Sequence, residues 1–181
     1  MINDYEATKP ITQDSTSGTR STQQPTNDEV ISTLNGLIET CKDGQQGFTE
    51  AAEGVERSDL KTLFYEFSQQ RSKFVGELQT LVQTLGGDPE NSGSVAGALH
   101  RGWINIKSVV MGKDEASILN ECERGEDVAK NAYKSALEYA LPAHILDTVQ
   151  TQYTAVQSAH DRIRNLRDAT NGEKSTSATT S

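Results

Sequence analysis

Four long stretches of this chain carry apolar residues stepping by four and three, the spacing of an amphipathic helix that buries one face. The first, about Asn27 to Glu53, presents Val30, Leu34, Leu37, Cys41, Gly44, Phe48 and Ala51, with Val55 just beyond. The second, about Asp59 to Leu85, presents Leu60, Phe64, Phe67, Arg71, Phe74, Leu78, Leu81 and Leu85. The third, Asp114 to Leu141, presents Ile118, Leu119, Cys122, Ala129, Ala132, Tyr133, Ala136 and Ala140, with Glu126 inside the same stripe. The fourth, about Pro142 to Ala169, presents Ile145, Val149, Tyr153, Val156, His160, Ile163 and Arg167. Four such stripes bury one another, so the chain is predicted to be all-α.

The breaks between the stretches set the topology. Thr26 with Glu29 is a capping-box pattern that starts the first helix, Gly54 ends it, and Ser58 can cap the second. Gly86, Gly87 and Pro89 end the second helix. A shorter helix from Ser94 to Met111 follows, with Val95, Ala98, Leu99, Ile106, Val109 and Val110 on one side. It spans roughly 27 Å against about 40 Å for the long helices, enough to return the chain along the outside of a bundle. Asp114 caps the third helix, and Pro142 suits the first turn of the fourth. Two tight hairpins joined by a long crossover place the third helix parallel to the second, which is ferritin-like four-helix-bundle topology. Simple up-down-up-down order, with 94–140 as one kinked helix, is the alternative. Residues 1–25 and 171–181, rich in Ser and Thr, are expected to be disordered, leaving one domain over 26–170 with its crossover at 94–111.

With 26 acidic and 17 basic residues the net charge is -9, which opposes nonspecific binding to nucleic acid or anionic membrane. The sequence has neither a spanning apolar run nor a leader-like basic and apolar start, so a cytoplasmic protein is expected. Cys41 and Cys122 read as small buried residues and match no metal motif.

Charged residues on core stripes require partners. Arg71 cannot lose its charge, and the rise of the two helices brings it to the height of Glu126. His160 comes out about a turn higher, with Gln45, and Tyr133 and Tyr153 come out lower. A structural polar layer of Arg71, Glu126, His160, Gln45, Tyr133 and Tyr153 is therefore expected across the middle of the bundle.

The segments LNGLIETCKDGQQGF, SGSVAGALHRGWINIKS and ILNECERGEDVAKNAYKSAL, followed by AHDRIRNLRD, resemble an uncharacterised bacterial family of four-helix-bundle proteins within the ferritin-like superfamily. The resemblance covers about residues 27–169 and implies the fold. It brings no assigned reaction. For active members of the superfamily it implies a dinuclear iron or manganese centre, oxygen chemistry, dimeric or larger assemblies and, by analogy, a role in stress.

A di-iron bundle needs inward carboxylates from two helices and Glu-x-x-His pairs from the other two. Here the fourth helix has Gln157 and His160, the second has Glu66 and Gln69, and Glu39, Glu66 and Glu123 fall well off their stripes. A fixed guanidinium at mid-height also repels a divalent ion. The sequence therefore reads as a non-catalytic bundle with no cofactor, acting as a structural or interaction protein, and the resemblance implies a homo-oligomer. The alternative is an iron or manganese oxidase, or a lesser site using Glu126 and His160.

A candidate interaction surface pairs the acidic outer face of helix one, Glu39, Asp43 and Glu50, with the basic edge His100, Arg101, Trp103 and Lys107 of the crossover, within the chain or from a partner. His144 reads as a surface residue. Ser158, His160 and Asp161 are neighbours on one helix and do not face one another as a triad must.

Overall fold

A computed structural model describes residues 25–89, 103, 105–112 and 114–178. Its helices are α1 (Asn27–Gly54), α2 (Ser58–Thr84), α3 (Ile106–Met111), α4 (Glu115–Leu137) and α5 (Ala143–Ala178). No strand occurs among the described residues.

Local chemistry accounts for most helix ends. The Thr26 hydroxyl accepts from Glu29 N at 3.3 Å and the Glu29 carboxylate accepts from Thr26 N at 2.8 Å, closing the capping box. Asp114 accepts from Ser117 N at 3.1 Å at the start of α4. Ser58, the expected cap of the second helix, is its first helical residue instead. The cap position falls to Arg57, whose side chain reaches Asp59 at 2.6 Å and Glu115 at 3.1 Å.

Three helix bounds differ from expectation. α4 stops at Leu137 rather than Leu141, because Pro142 disfavours helical backbone at the residue before it. Ala140 is consequently exposed, while Leu141 folds back into the core. α5 continues past Ala169 to Ala178, through a stretch without proline. In the crossover, Trp103 and Asn105 are not helical, and helix begins only at Ile106. Asn105 N is held instead by the Glu121 carboxylate at 3.0 Å. The rest of the expected crossover helix, 94–102 and 104, lies outside the described residues.

α1 with α2, and α4 with α5, form two hairpins. Gly36 and Leu37 of α1 border Ala132 and Ala136 of α4, whereas Gly47 and Gly125 both abut Trp103, so α1 and α4 are antiparallel. Phe74 and Leu81 of α2 face Asp147 and Gln152 of α5, and Leu60 and Leu63 face Leu166, so these helices are antiparallel too. α2 and α4 therefore run the same way, and their connection travels the length of the bundle. This is the ferritin-like arrangement.

The core has two apolar halves. One, around Leu34, Leu78, Val82, Tyr133 and Val149, lies toward the start of α1. The other, around Phe48, Phe64, Leu119, Cys122 and Ile163, is covered by Trp103 and Ile106. Trp103 stands edge-on to Phe48 at 5.0 Å between ring centroids. A Cβ at Gly47 or Gly125 would come within 2.1 or 2.4 Å of its ring, so both helices need glycine there. Among the described residues, no helix is long and apolar enough to cross a membrane.

Candidate functional site

Between the two halves lies the most deeply buried ion pair among the described residues. Arg71 and Glu126 are each 1 % exposed, and Arg71 Nη2 donates to Glu126 Oε2 at 2.6 Å. Arg71 Nη1 donates to Gln70 Oε1 at 2.5 Å. The guanidinium carbon lies 5.8 Å from the centre of the Phe48 ring and 5.6 Å from that of Phe74, within cation–π range. Gly44 makes room on α1, since a Cβ there would stand 3.4 Å from Arg71 Cγ. Burial pushes the Glu126 carboxyl above its ordinary range, and the facing guanidinium holds it down in part. The pair is only half satisfied, because Arg71 Nε and Glu126 Oε1 are buried without a partner.

A second polar chain leaves the core toward α5. Tyr133, fully buried on α4, donates to Gln152 Oε1 at 2.7 Å, and Gln152 Nε2 donates to Glu77 Oε2 at 2.8 Å. A carboxylate only accepts, so the amide turns its NH2 to Glu77 and its oxygen to Tyr133. The Tyr133 proton is thereby committed, and Cys41, with Sγ 3.1 Å from the phenol oxygen, is left as the donor at the inner end. Burial pushes the Cys41 thiol up to about 11 and the Tyr133 phenol well above its ordinary range.

Three members of the expected polar layer, Tyr153, Gln45 and His160, sit elsewhere. Tyr153 is half-buried, and Gln152 takes the inward position, so α5 steps through Ile145, Val149, Gln152, Val156, Ala159 and Ile163. Gln45 is also half-buried, and its backbone carbonyl accepts from Ser68 Oγ at 2.9 Å and Thr49 Oγ1 at 2.9 Å in a separate cluster between α1 and α2.

His160 is 5 % exposed but faces the rim between α4 and α5. Its Nε2 lies 3.0 Å from Asp127, its Nδ1 lies 3.1 Å from Asp161, and Lys130 Nζ approaches the two ring nitrogens at 3.4 and 3.3 Å. Glu123 is 4.0 Å away and is itself paired with Arg167. These partners, rather than Glu126, take the histidine's ring nitrogens.

The expected interaction surface is partly occupied within the chain. Glu50 accepts from Gln46 at 2.9 Å and meets Lys107 at 3.6 Å. Glu39 pairs with Lys42 at 3.2 Å. Asp43, Gly47, Glu50, Trp103 and Lys107 line one cavity of about 160 Å³. Trp103 acts as an internal plug, and His100 and Arg101 lie outside the described residues.

A pair of iron or manganese ions does not fit this donor set. The inward carboxylate at mid-bundle already faces a fixed cation at 2.6 Å. Among the described residues, no three His, Cys, Asp or Glu side chains are grouped so that they could hold an ion.

Residues 29–139 match a family profile described as a domain of unknown function, DUF2383. The chain belongs to this family. The DUF2383 span contains Cys41, Arg71, Glu126 and Tyr133 and stops before α5, which supplies Gln152 and His160. No curated protein matches the chain. It is similar in fold to a crystal structure of a two-domain protein from Anabaena variabilis containing DJ-1/ThiJ/PfpI-like and ferritin-like domains. The TM-score is 0.68 at 14 % identity, over 81 % of this chain and 41 % of that one. The DUF2383 chain thus spans well under half of that protein, and the likeness is one of fold.

Sequence reasoning missed Gln152, Glu77 and Glu121. Gln152 had a usable signal, since it lies three residues after Val149 and four before Val156, a more regular seam position than Tyr153. Glu121, 6 % exposed, precedes the Cys122 stripe position by one residue and is turned toward the crossover, which no pattern within α4 reveals.

Proposed function

We propose that this protein is a non-catalytic ferritin-like bundle, a structural or interaction protein in which the Arg71–Glu126 pair occupies the interior that metal-dependent bundles give to cations. The observation that carries this reading is the Arg71 guanidinium buried against Glu126 at 2.6 Å. Guanidinium stays protonated at any pH a folded protein survives, so its charge opposes a divalent ion at that height. The pair also favours one register of α2 against α4, because sliding either helix by a turn would leave both charges buried and unmatched.

The test is metal analysis of protein purified without chelator, followed by anaerobic ferrous iron addition and exposure to oxygen. The expected result is substoichiometric metal and iron oxidation at the rate of buffer alone. Near-stoichiometric iron together with accelerated oxidation would refute the proposal.

A further inference from the structure

The two halves of the bundle are closed in different ways. Around Cys122, Trp103 fills the notch between Gly47 and Gly125, Val110 lies against Gly54, and Arg57 bridges to Glu115 at 3.1 Å. Between α2 and α5 both halves are grooved, by about 400 Å³ beside Leu60, Leu63 and Leu166 on the Cys122 side and by about 560 Å³ beside Phe74, Glu77, Leu81, Asp147 and Gln152 on the Cys41 side, and the larger groove has a hydrogen-bonded chain leading inward behind it. The hydrogen bond from Gln152 Nε2 to Glu77 Oε2 ties the two helices together at this groove. Glu77 is 39 % exposed, so water competes directly for that bond.

What stands behind the bond matters as much. Gln152 leads to the Tyr133 hydroxyl and then to the Cys41 thiol, so water entering here meets a ready line of donors and acceptors. Entry therefore leaves fewer polar groups stranded than entry through a purely apolar seam. Regions tied by few, water-accessible bonds open at a lower free energy than the whole molecule unfolds.

We propose that the bundle opens locally along the α2/α5 seam by separation of Gln152 from Glu77. The motion bares Tyr133 and Cys41 while the strapped half around Cys122 stays shut. It makes the 560 Å³ groove the entrance by which a small molecule reaches the interior. This reading goes beyond the structural role proposed above and is tested by a measurement independent of metal content.

The experiment treats the full chain with N-ethylmaleimide in native buffer and follows both cysteines in the same molecules by peptide mass spectrometry. A closed, protonated thiol does not react, so the rate of each site reports its opening. Cys41 is expected to react at least about tenfold faster than Cys122, with a weak dependence on added urea. Glu77→Ala, at a part-exposed site, should speed Cys41 by about fivefold, the factor of one ordinary hydrogen bond, and leave Cys122 unchanged. The proposal is overturned if both cysteines react at one rate with the same urea dependence, if Cys122 reacts first, or if Glu77→Ala leaves Cys41 unaltered. The wild-type comparison decides the matter even if the variant folds poorly.

Discussion

Removing one partner of the buried pair should cost very different amounts depending on which partner goes. In Glu126→Met, Arg71 keeps its charge at a site 1 % exposed, with Gln70 as its remaining hydrogen-bond acceptor. A buried charge left unpaired in this way costs about 3–5 kcal/mol. In Arg71→Met the stranded group is a carboxyl that can take up a proton, and burial already drives it in that direction. Losing the guanidinium removes the main influence that held its pKa down, so the folded-state value rises further above the ordinary 4.5. A group whose folded pKa is raised binds its proton more tightly folded than unfolded, so its contribution to stability falls as pH rises through the folded value. The Arg71→Met deficit should therefore shrink as pH is lowered from neutral toward about 5, whereas the Glu126→Met deficit should not shrink and should grow somewhat, because wild-type Glu126 itself binds its proton more tightly folded than unfolded. The double variant fills the space with two thioether chains and should lie within about 2 kcal/mol of wild type. Urea unfolding followed by helical circular dichroism, at several pH values, measures all four proteins. The expected coupling is about 3 kcal/mol or more at pH 7. Additive single effects, or a Glu126→Met deficit that relaxes in acid while that of Arg71→Met does not, would refute the reasoning.

Two further predictions concern the plug and the buried thiol. A Cβ at Gly47 would lie 2.1 Å from the ring of Trp103, the chain's one tryptophan, so Gly47→Ala should expel the indole. It should destabilise by about 1–3 kcal/mol and shift the emission to the red, while Gly76→Ala, with nothing within 4 Å of its Cβ, leaves the emission unchanged. Cys41 holds its proton up to about 11 in the folded protein against 9.0 unfolded, so stability should decline as pH rises between these values. That difference of two pH units corresponds to about 2.7 kcal/mol, and Cys41→Ala should remove this part of the alkaline slope, as read by urea titrations at pH 8 to 11.

The helices and their order were legible because the information is local. Four stripes at helical period, the Thr26 capping box and Pro142 act through contacts within a few residues. Arg71 and Glu126 could be matched from sequence for a related reason: each interrupts an apolar stripe, and a helix rises by a constant amount per residue. The details around them were not legible in the same way. Adjacent helix positions lie 100° apart, and whether Gln152 or Tyr153 turns inward depends on how α5 crosses its neighbours and on Tyr133 needing an acceptor. His160 is nearly as buried as its stripe predicts, yet its ring nitrogens go to Asp127 and Asp161, because the nearest carboxylates are on the rim.

By itself, then, the sequence determined an all-α bundle with two charges inside it, since periodicity, caps and burial of apolar stripes are properties of each segment taken alone. Only the tertiary structure decided that Trp103 fills the α1/α4 notch, that Gln152 joins Tyr133 to Glu77, and that the α2/α5 seam is left grooved. Those outcomes depend on distances between helices, and a spacing pattern along one chain does not encode which neighbour a given side chain will meet.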